Sequence, residues 1–283
     1  QSASVDAGYF RALGRTNHEI KFGGGWQRTD MFIRTQWPGD GVVAFDISPT
    51  DQRARIYREQ DSRNRLVFLG AYVSDSISAG PVTIDLGLRY DHQRGTAMPS
   101  RVSGNPAFPD LVPGIEFKGG ADSNAWIDFS PRASLAYAVD DSARTIVRGS
   151  IGRFASQIVM GAAAQNNPAH PQGWIEYPWE DANGDRLVQP SEVRADRPYL
   201  AFEGMNPSNR SSPVAVNALD PAIDSRQTLD ASLSVERQLR GGLTGTLAYH
   251  YSRHTNWPTF RWVRFSSKSA GAMKSRPSAP VYR

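Results

Sequence analysis

Residues 81–93 read Pro-Val-Thr-Ile-Asp-Leu-Gly-Leu-Arg-Tyr-Asp-His-Gln, and this stretch decides the fold class. Apolar side chains occupy every second position, and mostly polar ones lie between them. The apolar set is Val82, Ile84, Leu86, Leu88 and Tyr90, and it alternates with Thr83, Asp85, Gly87, Arg89 and Asp91. Because successive side chains of a β-strand point to opposite faces, the pattern predicts one two-faced strand of about a dozen residues.

Two later runs, Thr228–Leu239 and Leu243–Arg253, show the same alternation. Their apolar positions are Leu229, Ala231, Leu233 and Val235, then Leu243, Leu247, Tyr249 and Tyr251. Only Arg240-Gly-Gly separates the runs, which predicts a β-hairpin. Weaker signals of the same kind occur around Ile20–Trp26, Leu66–Val73, Phe129–Val139 and Thr145–Phe154. The chain is therefore expected to contain roughly eight to ten strands and no amphipathic helix.

The links between the strands alternate in length. Ser76–Gly80, Asp140–Ala143 and Arg240–Gly242 are short, whereas the links near 28–64, 94–124 and 156–225 are long and rich in Gly, Pro, Asn and Trp. Outer-membrane barrels have short periplasmic turns, long extracellular loops and tilted strands of roughly 9–11 residues. We therefore predict an all-β, antiparallel outer-membrane β-barrel that is partial. It covers residues 1–265, with a long extracellular loop at about 156–225 and an irregular tail at 266–283.

A soluble β-sandwich or barrel is the alternative, and it differs in where the apolar strand faces point. In a membrane barrel these faces meet lipid, whereas in a soluble domain they must meet each other. We expect the apolar residues to lie on the outer surface of one antiparallel sheet, because charged residues alternate with them. The test set is Val82, Ile84, Leu86, Leu88, Leu229, Leu233, Leu243 and Leu247.

Composition excludes several other classes. The chain has no cysteine, which removes disulfide frameworks and thiolate chemistry. Its 32 basic and 28 acidic residues are scattered, so nucleic acid is not an expected partner. No run of roughly 18 apolar residues is present, which excludes a transmembrane helix but not transmembrane strands.

Several segments resemble TonB-dependent outer-membrane receptors, and most closely the large receptors with an N-terminal carboxypeptidase-regulatory-like domain. One such segment is Gly70-Ala-Tyr-Val-Ser-Asp-Ser-Ile followed by Val82-Thr-Ile-Asp-Leu-Gly-Leu-Arg-Tyr-Asp91. Others are Phe129-Ser-Pro-Arg-Ala-Ser-Leu-Ala-Tyr137 with Thr145–Phe154, and 224–238 with its Ser-Val-Glu-Arg-Gln ending. The resemblance covers roughly residues 15–265.

This resemblance implies a location in the outer membrane of a Gram-negative bacterium and a barrel of about 22 strands. It also implies import of a scarce nutrient such as a siderophore, vitamin, oligosaccharide or peptide. The implied partners are outer-membrane lipid, the nutrient, and the TonB complex acting through a plug domain. No plug or TonB-box segment is recognised, and Ser266–Arg283 lacks strand alternation and a terminal aromatic residue. The chain is therefore expected to be a fragment of the barrel.

One motif has the spacing of a calcium ligand set. In residues 181–192, Asp-Ala-Asn-Gly-Asp-Arg-Leu-Val-Gln-Pro-Ser-Glu, oxygen ligands fall where an EF-hand loop has them. The ligands are the side chains of Asp181, Asn183, Asp185 and Glu192 and the carbonyl of Leu187. Arg186 replaces the usual turn glycine, so Ca²⁺ would bind weakly. The alternative is a polar surface turn.

No local motif indicates catalysis, and we do not expect an enzyme. Aromatic residues in the long loop are predicted either to stack on a ligand or to pack on one another; these are Trp174, Tyr177, Trp179 and Tyr199. His250 and His254 have a spacing that also suits a metal, but two polar residues facing the barrel interior are the preferred interpretation. Two functions are therefore kept: part of a nutrient receptor, or a soluble extracellular domain that binds polysaccharide through loop aromatics.

Overall fold

The computed structural model describes residues 1–48, 50–216, 220 and 222–257, with the backbone alone at 121–124 and 163. The described strands are β1 (Ser2–Leu13), β2 (Thr16–Thr35), β3 (Val42–Ser48), β4 (Asp51–Tyr57), β5 (Gln60–Ala79), β6 (Val82–Ala97), β7 (Ser100–Val102), β8 (Ile115–Phe117), β9 (Ala121–Ala138), β10 (Thr145–Ala155), β11 (Trp174–Pro178), β12 (Ala201–Glu203), β13 (Gln227–Gln238) and β14 (Thr244–Thr255). Short helical segments span Pro38–Gly41 and Met160–Ala164, and a 3₁₀ turn spans Arg240–Gly242.

Eight long strands form one antiparallel sheet in the order β1-β2-β5-β6-β9-β10-β13-β14. Every strand of this sheet pairs with its sequence neighbours among the eight. Within the described residues β1 and β14 are its edges and do not pair with each other, so the sheet is open. The fold is therefore all-β and antiparallel, as predicted.

The two faces of this sheet differ in polarity. Directly opposed residues share a face, so the register assigns each side chain. Leu88 opposes Val73 and Pro131, while its neighbour Arg89 opposes Tyr72 and Ser130 on the other side. We call these sides the apolar face and the polar face. Large exposed members of the apolar face are Phe22, Trp26, Leu69, Val73, Leu86, Leu88, Ile127, Phe129, Leu135, Ile151, Leu229, Leu233, Leu247 and Tyr249.

The predicted outward set is confirmed. Val82, Ile84, Leu86 and Leu88 of β6 share the apolar face with Leu229 and Leu233 of β13 and Leu247 of β14, and Leu243 is exposed in the adjoining turn. Tyr90, Tyr137, Tyr249 and Tyr251 also lie on this face. No second sheet covers it in the described part of the chain, so these apolar strand faces do not meet each other as a soluble sandwich requires.

Short turns join the strands at one end of the sheet. Gly80 takes φ 57°, a left-handed conformation that costs glycine little, and with Pro81 it connects β5 to β6. The turn after β9 is held by Asp140, whose carboxylate accepts hydrogen bonds from the Ser142 hydroxyl and from the Arg144 and Thr145 amides. The hydrogen bond from Ser142, aided by these amides, holds the pKa of Asp140 well below its usual range.

Three long loops lie at the opposite end, over residues 36–59, 98–120 and 156–226. They are folded: β3 and β4 of the first loop and β11 and β12 of the third form one sheet in the order β12-β11-β4-β3. In the second loop β7 pairs with β8. We call the three loops together the cap. Its core draws on all three loops and contains Ala54, Ile56, Phe108, Val112, Ile175, Tyr177, Trp179, Val193 and Met205.

The structure corrects the sequence predictions at three places. Strand β1 (Ser2–Leu13) was not predicted, because Ala3, Ala7 and Arg11 interrupt the larger apolar residues on its apolar face. The predicted turn Ser76–Gly80 is strand as far as Ala79. The long links contain strands and a core, so they are not irregular loops. The predicted tail at 266–283 lies outside the described residues.

Candidate functional site

Hydrogen bonds and ion pairs join side chains of different strands on the polar face. The Arg148 guanidinium donates to Glu236 at 2.9 Å, and the Ser150 and Ser232 hydroxyls lie 2.7 Å apart. Towards the other edge, the Tyr72 hydroxyl donates to Asp6 at 2.6 Å. These contacts join β10 to β13 and, across β2, β5 to β1, so the polar face carries hydrogen-bonded side chains towards both edges of the sheet.

The third loop covers the end of the polar face nearest the cap. The Gln93 amide donates to the Ser156 carbonyl at 3.1 Å and accepts from the Ile158 N–H at 2.8 Å. The Trp126 indole donates to the Ile223 carbonyl at 2.8 Å. A cavity of about 90 Å³ remains beside Gln93 and Ile158. That volume is large enough to hold water.

A buried carboxylate lies where the third loop returns to the sheet. Asp128 is 4% exposed, and its Oδ1 accepts from the Ser225 hydroxyl at 2.5 Å and the Gln227 amide at 3.2 Å. Its Oδ2 has no hydrogen-bond partner in the described part of the chain. Asp91 opposes it on β6, is also buried, and accepts from Arg89 at 2.9 Å. A buried oxygen without a hydrogen-bond partner costs free energy. Its presence here makes Asp128 a candidate functional residue, because packing alone does not explain it.

Two buried asparagines attach the loops to one another. Asn167 of the third loop donates to the Arg63 carbonyl on β5 at 3.0 Å and to Ser100 of the second loop at 3.3 Å. Asn105 of the second loop donates to the Asp40 and Tyr57 carbonyls of the first loop at 2.7 and 3.0 Å. Each side-chain amide satisfies backbone groups of a different chain segment, so the cap is fixed by specific polar contacts as well as by its core.

Arg58 and Arg210 bind carbonyls inside the cap. Arg58 is buried and donates to the Pro113 carbonyl at 2.9 Å and to the Arg210 carbonyl. Burial lowers the pKa of Arg58 to about 10. Arg210 donates to the Leu111 carbonyl at 3.2 Å and the Tyr177 hydroxyl at 2.7 Å. Arg58 thus cross-links all three loops, and Arg210 links the third loop to the second.

A comparison with protein families indicates how the apolar face, the polar face and the cap are oriented relative to a membrane. The model of the outer membrane beta barrel domain matches residues 12–264. The chain belongs to this family. No curated protein matches the chain. This barrel domain therefore lies in the outer membrane of a Gram-negative bacterium. Its apolar face meets lipid, its polar face lies inside, and the cap is extracellular because the long loops of such barrels are on that side.

No helix in the described part of the barrel domain has the length and apolar character needed to cross a membrane.

The four aromatic residues predicted to stack on a ligand have different environments in this barrel domain. Tyr177 and Trp179 are buried in the cap core, where their rings pack on other loop residues. Trp174 lies on the opposite face of the cap sheet, with the Arg55 guanidinium 3.9 Å from its ring centroid and Glu203 accepting from its indole. Tyr199 packs edge-on against Phe202. Trp174 and Tyr199 are partly exposed, so ligand binding there stays a prediction, whereas packing describes Tyr177 and Trp179.

The predicted calcium loop is closed by its own hydrogen bonds. Asp181 accepts from the Gly184 amide at 2.8 Å, Asp185 accepts from the Leu187 amide at 2.8 Å, and the Asn183 carbonyl oxygen accepts from the Asp185 amide at 3.0 Å. Glu192 is buried and accepts from the Ala182 amide at 3.1 Å and the Gln189 amide at 3.2 Å. The loop is compact, and its carboxylate oxygens are already occupied as acceptors.

Arg186 of this loop takes φ 60°, the left-handed conformation expected where an EF-hand has glycine. Within the described residues no group of three or more His, Cys, Asp and Glu side chains is arranged to hold a metal ion. Calcium binding at Asp181, Asn183, Asp185, Leu187 and Glu192 therefore stays a prediction. His250 and His254 lie on the polar face of β14, as preferred from the sequence, and His254 contacts the Thr228 hydroxyl at 2.9 Å.

Sequence reasoning missed the residues that attach the cap: Asp128, Gln93, Asn105, Asn167, Arg58 and Arg210. Asp128 alternates with Ile127 and Phe129, which assigns it to the polar face but gives no sign that a distant loop covers it. The asparagines lie in Pro- and Gly-containing loop sequence, where Asn ordinarily indicates a turn. Their hydrogen-bond partners belong to other loops or to a barrel strand, far away in the sequence, and no local pattern predicts such contacts.

Proposed function

We propose that this barrel domain is part of a TonB-dependent receptor that imports a small, scarce nutrient, and that the cap is the part that first contacts it. The cap's attachment over the polar face is the observation that carries this proposal. A passive pore keeps its polar interior open to water. Here Gln93 and Asp128 are buried in contact with residues of the third loop, so movement of the cap is required for a nutrient to reach them.

The contacts between cap and sheet suit a gate. The third loop hydrogen-bonds to the polar face at Gln93, Trp126 and Asp128, and its short helix Met160–Ala164 lies against β5, β6 and β9. Such bonds contribute a net stability of about 1 kcal/mol each because water replaces them when they break. The cap core, in contrast, is apolar, so the cap keeps its internal structure when it separates from the sheet. We therefore expect the cap to move away from the sheet as one unit.

In receptors of this class the energy comes from the TonB complex acting through a plug domain. The barrel domain then provides the wall of the transport path, the contact with lipid and the extracellular surface that binds the ligand. Within the cap, Trp174 is the candidate ligand contact, since it lies on the face away from the core and is partly exposed beside Arg55 and Glu203. An aromatic ring flanked by both charges suits a polar nutrient better than a lipid.

The proposal is tested by uptake in paired Gram-negative strains with and without TonB, each producing the protein. A labelled panel of a ferric siderophore, cobalamin, an oligosaccharide and a peptide is supplied. We expect uptake of one member only when both protein and TonB are present. Liposomes containing the protein should not swell in sugar solutions. Rapid swelling with uptake independent of TonB would identify a passive pore and overturn the proposal.

A further inference from the structure

One side of the cap sheet faces away from the cap core and carries aromatic and charged side chains. Directly opposed residues share a side, so Trp174 lies beside Tyr57, and Glu176 lies beside Arg55. The ring of Trp37, from the first loop, stacks on Tyr57 with 4.6 Å between ring centroids and 19° between ring planes. We call this surface the stacking face, and it is formed by Trp37, Phe45, Arg55, Tyr57 and Trp174.

Trp37 is 42% exposed, yet its ring is held in a fixed orientation. Tyr57 covers one side of the ring, and the indole N–H donates to Gln172 Oε1 at 2.8 Å. The Gln172 amide in turn donates to the Arg58 carbonyl at 2.9 Å, which fixes the orientation of Gln172. Because the ring has already lost its conformational freedom, a ligand that stacks on it does not have to order it.

Trp174 is fixed in a similar way. The Arg55 guanidinium lies 3.9 Å from the centroid of the Trp174 ring and 4.8 Å from that of Phe45. The Trp174 indole donates to Glu203 at 3.1 Å, and Arg55 itself donates to the buried Glu176 at 2.8 and 3.1 Å. The stacking face therefore presents a second partly exposed tryptophan ring whose position is fixed before any ligand binds.

The charges of this face neutralise one another. Arg53 donates to Asp51 at 2.6 and 2.8 Å and to Glu176 at 3.3 Å, so both guanidinium groups are paired with carboxylates. Among the described strand residues on this side, two arginines accompany three carboxylates, which leaves a net charge of −1; they are Arg53, Arg55, Asp51, Glu176 and Glu203. No excess positive charge is present to attract an anionic ligand, whereas Glu203 is exposed and accepts hydrogen bonds. The face therefore favours an uncharged ligand with hydroxyl groups and flat apolar surfaces.

We propose that the stacking face binds a neutral oligosaccharide, with sugar rings packed on Trp37 and Trp174. One side of a pyranose ring carries C–H groups, which pack on the electron-rich face of an aromatic ring. Its edge carries hydroxyl groups, which the charged groups of Glu203 and Arg55 beside the rings can bind. Two tryptophan rings call for a ligand of at least two sugar units. This inference names the nutrient class for the import function proposed above, and in that respect it rests on it.

The test measures binding to the full chain by calorimetry in a polyoxyethylene detergent, which has no sugar headgroup to compete. The probes are neutral hexasaccharides of glucose, mannose and xylose, an acidic oligogalacturonide of the same length, and a hexalysine peptide. The test variants are Trp37→Ala and Trp174→Ala. The matched control is Trp257→Ala, at an exposed tryptophan outside the cap. Heat-modifiable migration on a gel confirms that each variant is folded.

We expect a neutral hexasaccharide to bind the unsubstituted chain, and each test variant to bind it on the order of tenfold more weakly, because one stacking contact is lost. Trp37→Phe keeps a flat ring and should stay within about threefold of the original affinity. The Trp257→Ala control should change by less than about twofold. Should Trp37→Ala fail to fold, Trp37→Leu replaces it, since leucine keeps apolar bulk without an aromatic face.

Three outcomes would overturn the proposal. They are no binding of any neutral hexasaccharide, tighter binding of the oligogalacturonide or the peptide, and unchanged affinity in both alanine variants. The uptake experiment separates this inference from the import function. Uptake of a non-carbohydrate that requires TonB, without oligosaccharide binding, would remove this inference and leave the import function. Oligosaccharide binding with uptake that is independent of TonB would do the reverse.

Discussion

The barrel sheet and the cap sheet are both antiparallel with alternating side chains, yet they face opposite surroundings. In the barrel sheet Leu88 and Leu233 are exposed towards lipid and the polar side is inside. In the cap sheet Ile56 and Ile175 are fully buried, and their neighbours Arg55 and Trp174 lie on the other side. Alternation therefore identifies which residues share a face, but strand length and context decide whether that face meets lipid, water or a protein core.

The largest expected effect breaks the cap and leaves the barrel sheet intact. Ile56→Ala removes a fully buried side chain from the cap core and should cost about 2–5 kcal/mol of cap stability. Hydrogen exchange should rise in β4 and β11 with little change in β6 and β9. Ile47→Ala, at an exposed position of β3, is the matched control. Equal loss of protection in both sheets would mean that cap and barrel sheet unfold as one unit.

A charged residue on the lipid-facing side should destabilise the barrel sheet instead of the cap. Leu88→Arg should destabilise the folded state in lipid by about 2–4 kcal/mol, because the guanidinium would lie in hydrocarbon. Ser150→Arg places the same group on the polar face and should cost less than about 1 kcal/mol. Denaturant titration in lipid vesicles measures both. If both variants lose the same stability, Leu88 does not face lipid.

A smaller effect is expected at the contact between the two regions. Asn167→Ala removes the hydrogen bonds to Arg63 and Ser100 and leaves their groups without partners, at a cost of about 1–3 kcal/mol. Limited proteolysis from the extracellular side should then cleave the third loop sooner. Asn209→Ala, at an exposed position of the same loop, should cleave like the unsubstituted chain. Identical cleavage of the two variants would mean that Asn167 does not hold the loop.

Within the cap, calcium binding by the loop 181–192 can be tested by changing Arg186. Arg186→Gly should stabilise the loop by about 1 kcal/mol, since it relieves the left-handed backbone strain and removes a positive charge. Calorimetry with CaCl₂ should then show tighter binding than in the unsubstituted chain. Asp181→Ala and Glu192→Ala should abolish the heat. Heat that is absent throughout, or unchanged in these two variants, would identify the segment as a polar surface turn.

The smallest effect expected is on pH dependence. Desolvation by burial lowers the pKa of His170, which lies 3.1 Å from the Gln60 amide at the base of the cap. The unfolded chain then binds the proton more readily, so stability is full above the unfolded pKa of about 6.5 and falls as the pH drops below it. Hydrogen exchange of the third loop should report this loss, and His170→Gln should remove it. Persistence of the dependence in that variant would assign it to another group.

The sequence indicates the barrel sheet well because each face is a local property of one strand. Alternation could assign Leu229, Leu233 and their neighbours to one face, and the strand and loop lengths indicated that this face is the outer one, which agrees with the structure. The cap could not be predicted in this way, because β7, β8 and β12 have only three residues each and no measurable period. Its core joins Ile56, Val112 and Ile175 from separate loops, and such pairings leave no local signal. The sequence leaves open whether Tyr177 and Trp179 stack on a ligand or pack on loop residues, because their burial depends on those distant partners.

Because the cap takes its core and its asparagine links from all three loops, none of the loops is an independent module. A loop exchanged singly with that of a related barrel protein would arrive without the residues that its own Asn105 or Asn167 contacts. On the proposed receptor function, ligand preference should therefore be transferable only when all three loops are exchanged together. Natural variation among such proteins is expected to show the same constraint, with changes in one loop accompanied by compensating changes in the other two.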